Sequence, residues 1–489
     1  MHRSAPRVVK NTAAQIVSRG IEGATNVAVA ILLARVLGAG PLGGFTYLSN
    51  YGSLFIFLGT LGLNLLMARE VARCRGEARR YLSNALGMGL ALALITLGAQ
   101  VGIIRLVSSD PLARKGVYLA AAFTIFHSGE LLFVGVFYAL ERMELETLGI
   151  MIEKTALLAA VFALMRSGGG VLAVLAAFAG AKALLCVVYL AVSRRLVGFP
   201  RPAFDLTMWR HLAAEGWPFS LNLLLTAVYF QAYVVVLLAI MVSDESAGYF
   251  RAGSIVALGL PLVAAGLNNA LLPLMARAHP DRREAFELGL ERSLTALSLL
   301  GLPSAAGLIA LGPPLVRGLF GPHFAPAVLC FQLLAITVPL KFAASTIGTG
   351  LTAANRQPAR TFAAGLGAAL GVGLNFALIP RFAHNGAAVA AVAGDVAILA
   401  LSYGYLRRTG YRLAVARLSL RPALATAIMG IGLWFARGAS LGLTVPLGIA
   451  LFVAAAYGVR AIKRSDLEWL RQAFAPMPVE KEQTADERR

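Results

Sequence analysis

Charge is scarce in this sequence. Only 14% of its 489 residues are Asp, Glu, Lys or Arg, against about 25% in a soluble domain. Cysteine is scarcer: Cys74, Cys186 and Cys330 stand alone, without CxxC or zinc-ligand spacing, so neither a disulfide framework nor a metal site is supported. No Walker A glycine loop is present, which excludes an intrinsic ATPase of that kind. The six histidines enter no Ser/His/Asp or metal constellation, so no catalytic residue and no cofactor is assigned. The basic N-terminus, "MHRSAPRVVKNTAAQ", lacks a short apolar core followed by a small-residue cleavage site. It reads as a cytoplasmic lead-in to a membrane span.

Apolar residues are what the chain has in abundance, 58% of the total, with a mean hydropathy of +0.73. Runs near the 20 residues that cross about 30 Å of hydrocarbon recur from end to end. The reading is an all-α polytopic membrane protein. Breakers between the runs predict spans at 12–35, 45–68, 83–105, 116–140, 146–166, 171–193, 213–241, 247–275, 287–311, 325–352, 361–380, 386–406, 420–437 and 442–461.

Loop charge tests that count of fourteen. Alternate loops carry basic clusters, such as Arg69, Arg73, Arg75, Arg79 and Arg80, or Arg407, Arg408, Arg412 and Arg417. The intervening loops are sparse, with single residues such as Arg35, Arg166 and Arg381. An excess of Lys and Arg marks cytoplasmic loops, so both termini are expected in the cytoplasm. The formal net charge of +20 is thereby explained as membrane orientation, and a nucleic-acid partner is not expected. Beyond the last span, Leu467, Leu470 and Phe474 predict a short interfacial helix in a charged tail.

The sequence repeats itself. "LLARVLGAGPLGGFTYLSN…LGLNLLMAR" (32–69) matches "LLAIMVSDESAGYFRAGS…AGLNNALLPLMAR" (237–277), and "ALERMELETL" (139–148) matches "AANRQPARTF" (353–362), at offsets of about 205–214 residues. Six spans separate the copies, so they share one membrane orientation, as parallel repeats do. The expected organisation is an N-lobe at 1–200, a C-lobe at 201–412, two further helices at 413–464 and a cytoplasmic tail at 465–489.

The opening "NTAAQIVSRGIEGATNVAVAILLARVLGAGPLGGFTYLSN" followed by "LGLNLLMAREVAR" resembles polysaccharide and O-antigen flippases of the multidrug/oligosaccharidyl-lipid/polysaccharide exporter superfamily. That resemblance implies translocation of undecaprenyl-pyrophosphate-linked oligosaccharide between leaflets of a bacterial inner membrane. It implies alternating access of two lobes around a basic cavity, H+ or Na+ as a candidate coupling ion, and polysaccharide polymerases and glycosyltransferases as candidate partners. A lipid II flippase and a cation-coupled drug antiporter of the same superfamily are the neighbouring alternatives. A membrane-embedded glycosyltransferase or polymerase fits less well, because the extracytoplasmic loops are short and the first, "GAGPLGG", holds no acid.

Charges inside spans usually face a bundle interior or a watery cavity. Gln15, Arg19, Glu22 and Asn26 share one helix face at i, i+4, i+7 and i+11. Arg19, Glu22, Asn26, Lys182, Arg251 and Lys341 are the candidate substrate-binding residues, Arg19 by a fork that matches a pyrophosphate. Lys182 has no acid near it in sequence and needs a partner from another helix or an anionic ligand. At the repeat offset Arg251 stands opposite Thr46. Glu130 (with His127 one turn before it), Glu215 and Asp395 are candidates for coupling or gating. Glu153 and Lys154 are expected to reach toward the interface. Pro218, Pro261, Asn268, Asn269 and Pro273 are expected to loosen spans seven and eight, and the small residues of "GLGAALGVGLN" (365–375) to serve close helix packing.

Overall fold

The computed structural model describes residues 5–461 except 230–231, 258–259, 280, 412 and 437–438, and leaves the side chains of residues 5–17, of Arg19 and of several positions between 222 and 274 undescribed. The side chains of Gln15, Arg19, Pro261, Asn269 and Pro273, and the expected tail helix at Leu467, Leu470 and Phe474, therefore lie outside what is described.

Every regular element among the described residues is helical. Helix α1 (Ala5–Leu37) ends at Gly38, whose φ of 87° no β-carbon favours. The second span is three pieces, α2 (Ala39–Ser53), α3 (Ile56–Thr60) and α4 (Leu63–Arg73). The break falls at Leu61 and Gly62, both left-handed (φ 47° and 70°). A β-carbon at Gly62 would strike the carbonyl of Gly216 in the seventh span. Helices α5 (Ala78–Val107), α6 (Pro111–Ala139), α7 (Met143–Arg166) and α8 (Val171–Val197) follow as long single spans. Asp110 caps α6, accepting from the N–H groups of Leu112 (3.1 Å) and Ala113 (2.9 Å), and Pro111 starts the helix where a missing N–H costs nothing.

The second half repeats the plan with more interruptions. It comprises α9 (Leu206–Tyr229), α10 (Ala232–Met241), α11 (Asp244–Ala257), α12 (Pro261–Ala278), α13 (Arg283–Ala310), the short α14 (Gly312–Phe320) and α15 (Ala327–Ala353). Then come α16 (Gln357–Arg408), α17 (Val415–Phe435) and α18 (Leu441–Gly458). Among the described residues, eleven stretches are long and apolar enough to cross a membrane. Helix α16 is two spans joined at Ala383 (φ 48°), and the expected spans at 213–241 and 247–275 coincide in sequence with α9–α10 and α11–α12. The crossings then number about fourteen, as the apolar runs predict.

One expected loop is not a loop. "GAGPLGG" (38–44) reads as a turn, yet α2 begins at Ala39 and runs through it. Pro41 falls in the first turn, where the helix asks no N–H of it. Gly43 and Gly44 serve close packing: a β-carbon at Gly43 would fall on the carbonyl of Asp244, and one at Gly248 on the carbonyl of Ala39. Helices α2 and α11 share the most extensive interhelix contact among the described residues.

The repeat recurs as local geometry. In the 139–148 turn, Leu140 N–H donates to Val136, Glu141 to Tyr138 and Arg142 to Phe137; in the 353–362 turn, Ala354 donates to Gly350, Asn355 to Thr352 and Arg356 to Leu351. Glu141 and Asn355 are both left-handed at φ 58°. Two turns with the same bonds at the same offset are one structural unit used twice.

The chain falls into two compact units, Met1–Gly259 with Pro313–Leu334 and Ala368–Ala393, and Leu260–Gly312 with Ala335–Gly367 and Gly394–Arg489. In the first, Leu63, Leu66, Met67, Leu82, Phe133, Phe137, Tyr189 and Leu212 form one buried apolar cluster joining α4, α5, α6, α8 and α9. In the second, Asn268 ties α12 to α15 and α13 through Ser345 (2.8 Å) and Ser293 (2.9 Å). Gly367 approaches Ile398 so closely that a β-carbon would collide with its side chain, as the small-residue stretch predicts.

Candidate functional site

A cavity of about 150 Å³ opens inside the first unit, between α1, α2, α6, α8 and α11. Helix α2 contributes Thr46, Ser49, Asn50 and Ser53, a polar stripe at i, i+3, i+4 and i+7 on a span otherwise apolar. Asn26 of α1 and Arg251 of α11 complete the polar lining. Phe45, Phe123 and Phe178 supply the apolar wall, with ring centroids of Phe45 and Phe178 at 5.0 Å. No acid lines the cavity among the described residues. Arg251 makes no salt bridge to a described residue, and its planar fork of N–H donors suits a planar anionic group.

Of the residues singled out in the sequence, the cavity brings together Asn26 and Arg251, with Thr46, the repeat counterpart of Arg251, beside them. Glu22, one turn before Asn26, is partly buried and engaged by a partner. The polar stripe of α2 was legible as four hydroxyl and amide side chains at helical spacing. The aromatic wall was not, because Phe45, Phe123 and Phe178 come from three helices with no periodic signal.

Lys182 lies elsewhere, in a charge-balanced buried cluster. Its Nζ donates to Glu130 Oε2 (2.6 Å) on α6 and to Glu153 Oε2 (3.0 Å) on α7. Lys154 Nζ reaches the other oxygen of Glu153 (3.0 Å), and His127 Nδ1 approaches Glu130 Oε2 (3.0 Å). Two lysines thus meet two carboxylates, and the partner that Lys182 requires comes from other helices. Glu153 and Lys154 do not reach toward an interface as expected: both are buried. Their neighbours α6 and α8 bring opposite charges close enough to make burial tolerable.

The second unit holds the counterpart. Lys341 Nζ donates to Asp395 Oδ1 at 2.9 Å, both side chains largely buried. At the repeat offset these two positions match Glu130 and Lys182 to within a helical turn, with the signs exchanged. Glu215 pairs with Arg69 (2.7 Å), joining α9 to α4.

Outside the spans, the α2–α11 contact carries one perturbed acid. Burial raises the Asp244 carboxyl above the usual aspartate range, and the charge of Asp110 adds to the shift. Arg35 closes the same end of the unit by donating to the carbonyls of Gly318 and of Leu319 (2.8 Å).

Comparison with known proteins sets this geometry in a family. Residues 8–279 match the model described as polysaccharide biosynthesis protein, and residues 229–453 match that of the lipid II flippase MurJ. A putative O-antigen transporter of Shigella dysenteriae is 25% identical over 293 residues, 58% of this chain and 71% of the relative. The inward closed conformation of lipid II flippase MurJ superimposes with a TM-score of 0.72 at 15% identity, covering 92% of this chain and 99% of that one. An inward-facing multidrug resistance MATE transporter of the MOP superfamily gives 0.64 at 14% identity, covering 83% and 99%. These relatives and neighbours are transporters and flippases, not enzymes. With the first match spanning more than half its length, the chain belongs to the polysaccharide biosynthesis protein family.

Proposed function

We propose that this chain flips an undecaprenyl-pyrophosphate-linked oligosaccharide from the inner to the outer leaflet of the bacterial cytoplasmic membrane, by alternating access of two lobes, for cell-surface polysaccharide synthesis. The observation that carries the reading is Arg251, a guanidinium with no acid among the described residues that line its cavity of hydroxyls, amides and aromatic rings. A pyrophosphate suits the fork of arginine, while sugar hydroxyls suit Asn26, Ser49 and Asn50, and sugar ring faces suit Phe45 and Phe178. The putative O-antigen transporter among its relatives supports the same class of substrate. Arg19 shares the Asn26 face of α1 by helical spacing and is assigned to the same anion.

Lys182 and Lys341 are given a structural role in this reading, since each meets a carboxylate at hydrogen-bond distance. Glu130, Glu215 and Asp395 hold helices together through those bridges. A coupling proton taken up at any of them would have to break one.

The test is translocation in proteoliposomes of a short-chain polyprenyl-pyrophosphate sugar, comparing wild type with Arg251→Gln at equal incorporation. Losing a charge-assisted contact of about 1.5–3 kcal/mol predicts a fall of about tenfold or more. Unchanged flipping removes Arg251 from the substrate path. No flipping of any glycan, together with efflux of organic cations, replaces the flippase with a drug antiporter.

A further inference from the structure

Helices α13, α17 and α18 meet through small side chains. Ala425, Ala456 and Ala461 pack together at their contact, and Ser298 and Ser419 bond across it at 3.1 Å. Just beyond that contact, toward the basic loops, the helices part and leave a recess of about 510 Å³. Four arginines from three elements look into it: Arg292 of α13, Arg417 and Arg421 of α17, and Arg460 after α18. Glu291 is the acid in its lining. Arg417, Arg421 and Arg460 are exposed and make no salt bridge to a described residue.

The recess is held in shape. Arg460 adopts a left-handed turn (φ 54°), its carbonyl accepting from Arg421 Nη1 at 3.2 Å. That bond fixes the end of α18 against α17. On the outward side of α17, Leu420, Leu424, Ile428 and Ile431 form an exposed apolar stripe running away from the arginines. A cationic recess at one end of an apolar stripe matches a lipid, head and tail. Basic pockets between spans on the cytoplasmic side take anionic headgroups.

We propose that this recess binds the phosphate of an anionic phospholipid headgroup from the leaflet on the basic-loop side, as a site separate from the Arg251 cavity. A phosphodiester brings charge that a net excess of guanidinium groups lacks, and planar forks grip its oxygens in pairs. The inference does not depend on what the protein transports.

Native mass spectrometry of the full chain tests it, with protein released from micelles containing equal cardiolipin and phosphatidylcholine. Wild type should retain cardiolipin in preference. The variant Arg417→Gln with Arg421→Gln should lose that retention by about thirtyfold, two surface cations contributing at this scale. Arg251→Gln should keep it. Should the double variant not fold, Arg460→Gln, an exposed position, should show a loss of about fivefold. Equal retention by wild type and the recess variants overturns the proposal, as does an absence of preference in wild type. A parallel loss in Arg251→Gln would assign the lipid to the transport cavity instead. Displacement of cardiolipin by millimolar inorganic phosphate would make the recess a site for free phosphate, and would equally overturn it.

Discussion

Gly43 and Gly248 stand about 205 residues apart, at matching positions of the repeat, and each lies against the start of the helix that carries the other. A β-carbon on Gly43 would collide with the carbonyl of Asp244; one on Gly248 would collide with the carbonyl of Ala39. Ala39 and Asp244 are themselves repeat counterparts, so the contact is reciprocal. It joins two backbones with no side chain between them, which is how packed helices approach most closely.

Gly43→Ala and Gly248→Ala should therefore force α2 and α11 apart. Overpacking of this kind costs about 1–3 kcal/mol, and each variant should lower the melting temperature in detergent. Gly98→Ala is the control, because nothing lies within 4 Å of a β-carbon there and alanine favours a helix. Equal melting temperatures for all three would mean that the α2–α11 contact yields without cost.

The sequence made that contact half visible. The repeat itself was readable, as were the short links at 139–148 and 353–362, because a repeated unit breaks its helices at the same places, although the left-handed position holds Glu141 in one copy and Asn355 in the other. The fourteen spans were readable because hydrocarbon thickness fixes their length. What failed was "GAGPLGG", where glycine and proline carry the signature of a turn but serve a helix start and a tight crossing. Partners across helices were also hidden: nothing in "AGAKALL" points to Glu130 or Glu153, which lie on other helices and are brought near only by packing. Lys341 read as a candidate substrate-binding cation and Asp395 as a candidate coupling or gating acid, not as partners of one another.

The two buried charge clusters can be tested by different substitutions, neutralisation in the first and charge exchange in the second. Lys182→Met leaves Glu130 and Glu153 facing each other without their shared cation. Breaking a buried pair costs about 3–5 kcal/mol, so folded yield should fall sharply. Glu130→Gln should be milder, since Lys182 keeps Glu153 at 3.0 Å. For the second cluster, Lys341→Asp should be destabilised and largely restored by adding Asp395→Lys. Detergent-solubilised melting curves check all four, and a double variant no better than Lys341→Asp would show that the orientation of the pair matters as much as its existence.

Thr46 and Arg251 occupy repeat-related positions on the lining of one cavity. If the cavity needs one cation and not one particular position, moving it should preserve part of the activity. Arg251→Thr combined with Thr46→Arg should flip substrate faster than Arg251→Thr alone, read in proteoliposomes at equal incorporation. The position of Thr46 is tight, its hydroxyl donating to the Leu42 carbonyl at 2.7 Å, so recovery will be partial. A folded double variant as inactive as the single one would tie function to the α11 position itself.

Asp244 gives the α2–α11 contact a pH dependence with a definite sign. Its folded pKa is raised, first by burial and then by Asp110, so the folded state holds a proton more tightly than the unfolded chain does. Stability therefore falls as pH climbs from the unfolded value through the folded one, and the deficit is full above the folded value. Asp244→Asn removes the charge that burial penalises. Its melting temperature should exceed that of wild type at pH 7, with the gap shrinking as pH is lowered toward 4 because wild type then regains its proton. A gap that stays constant or widens on acidification would mean that the carboxylate of Asp244 is stabilised in the folded protein, contrary to its buried position beside Asp110.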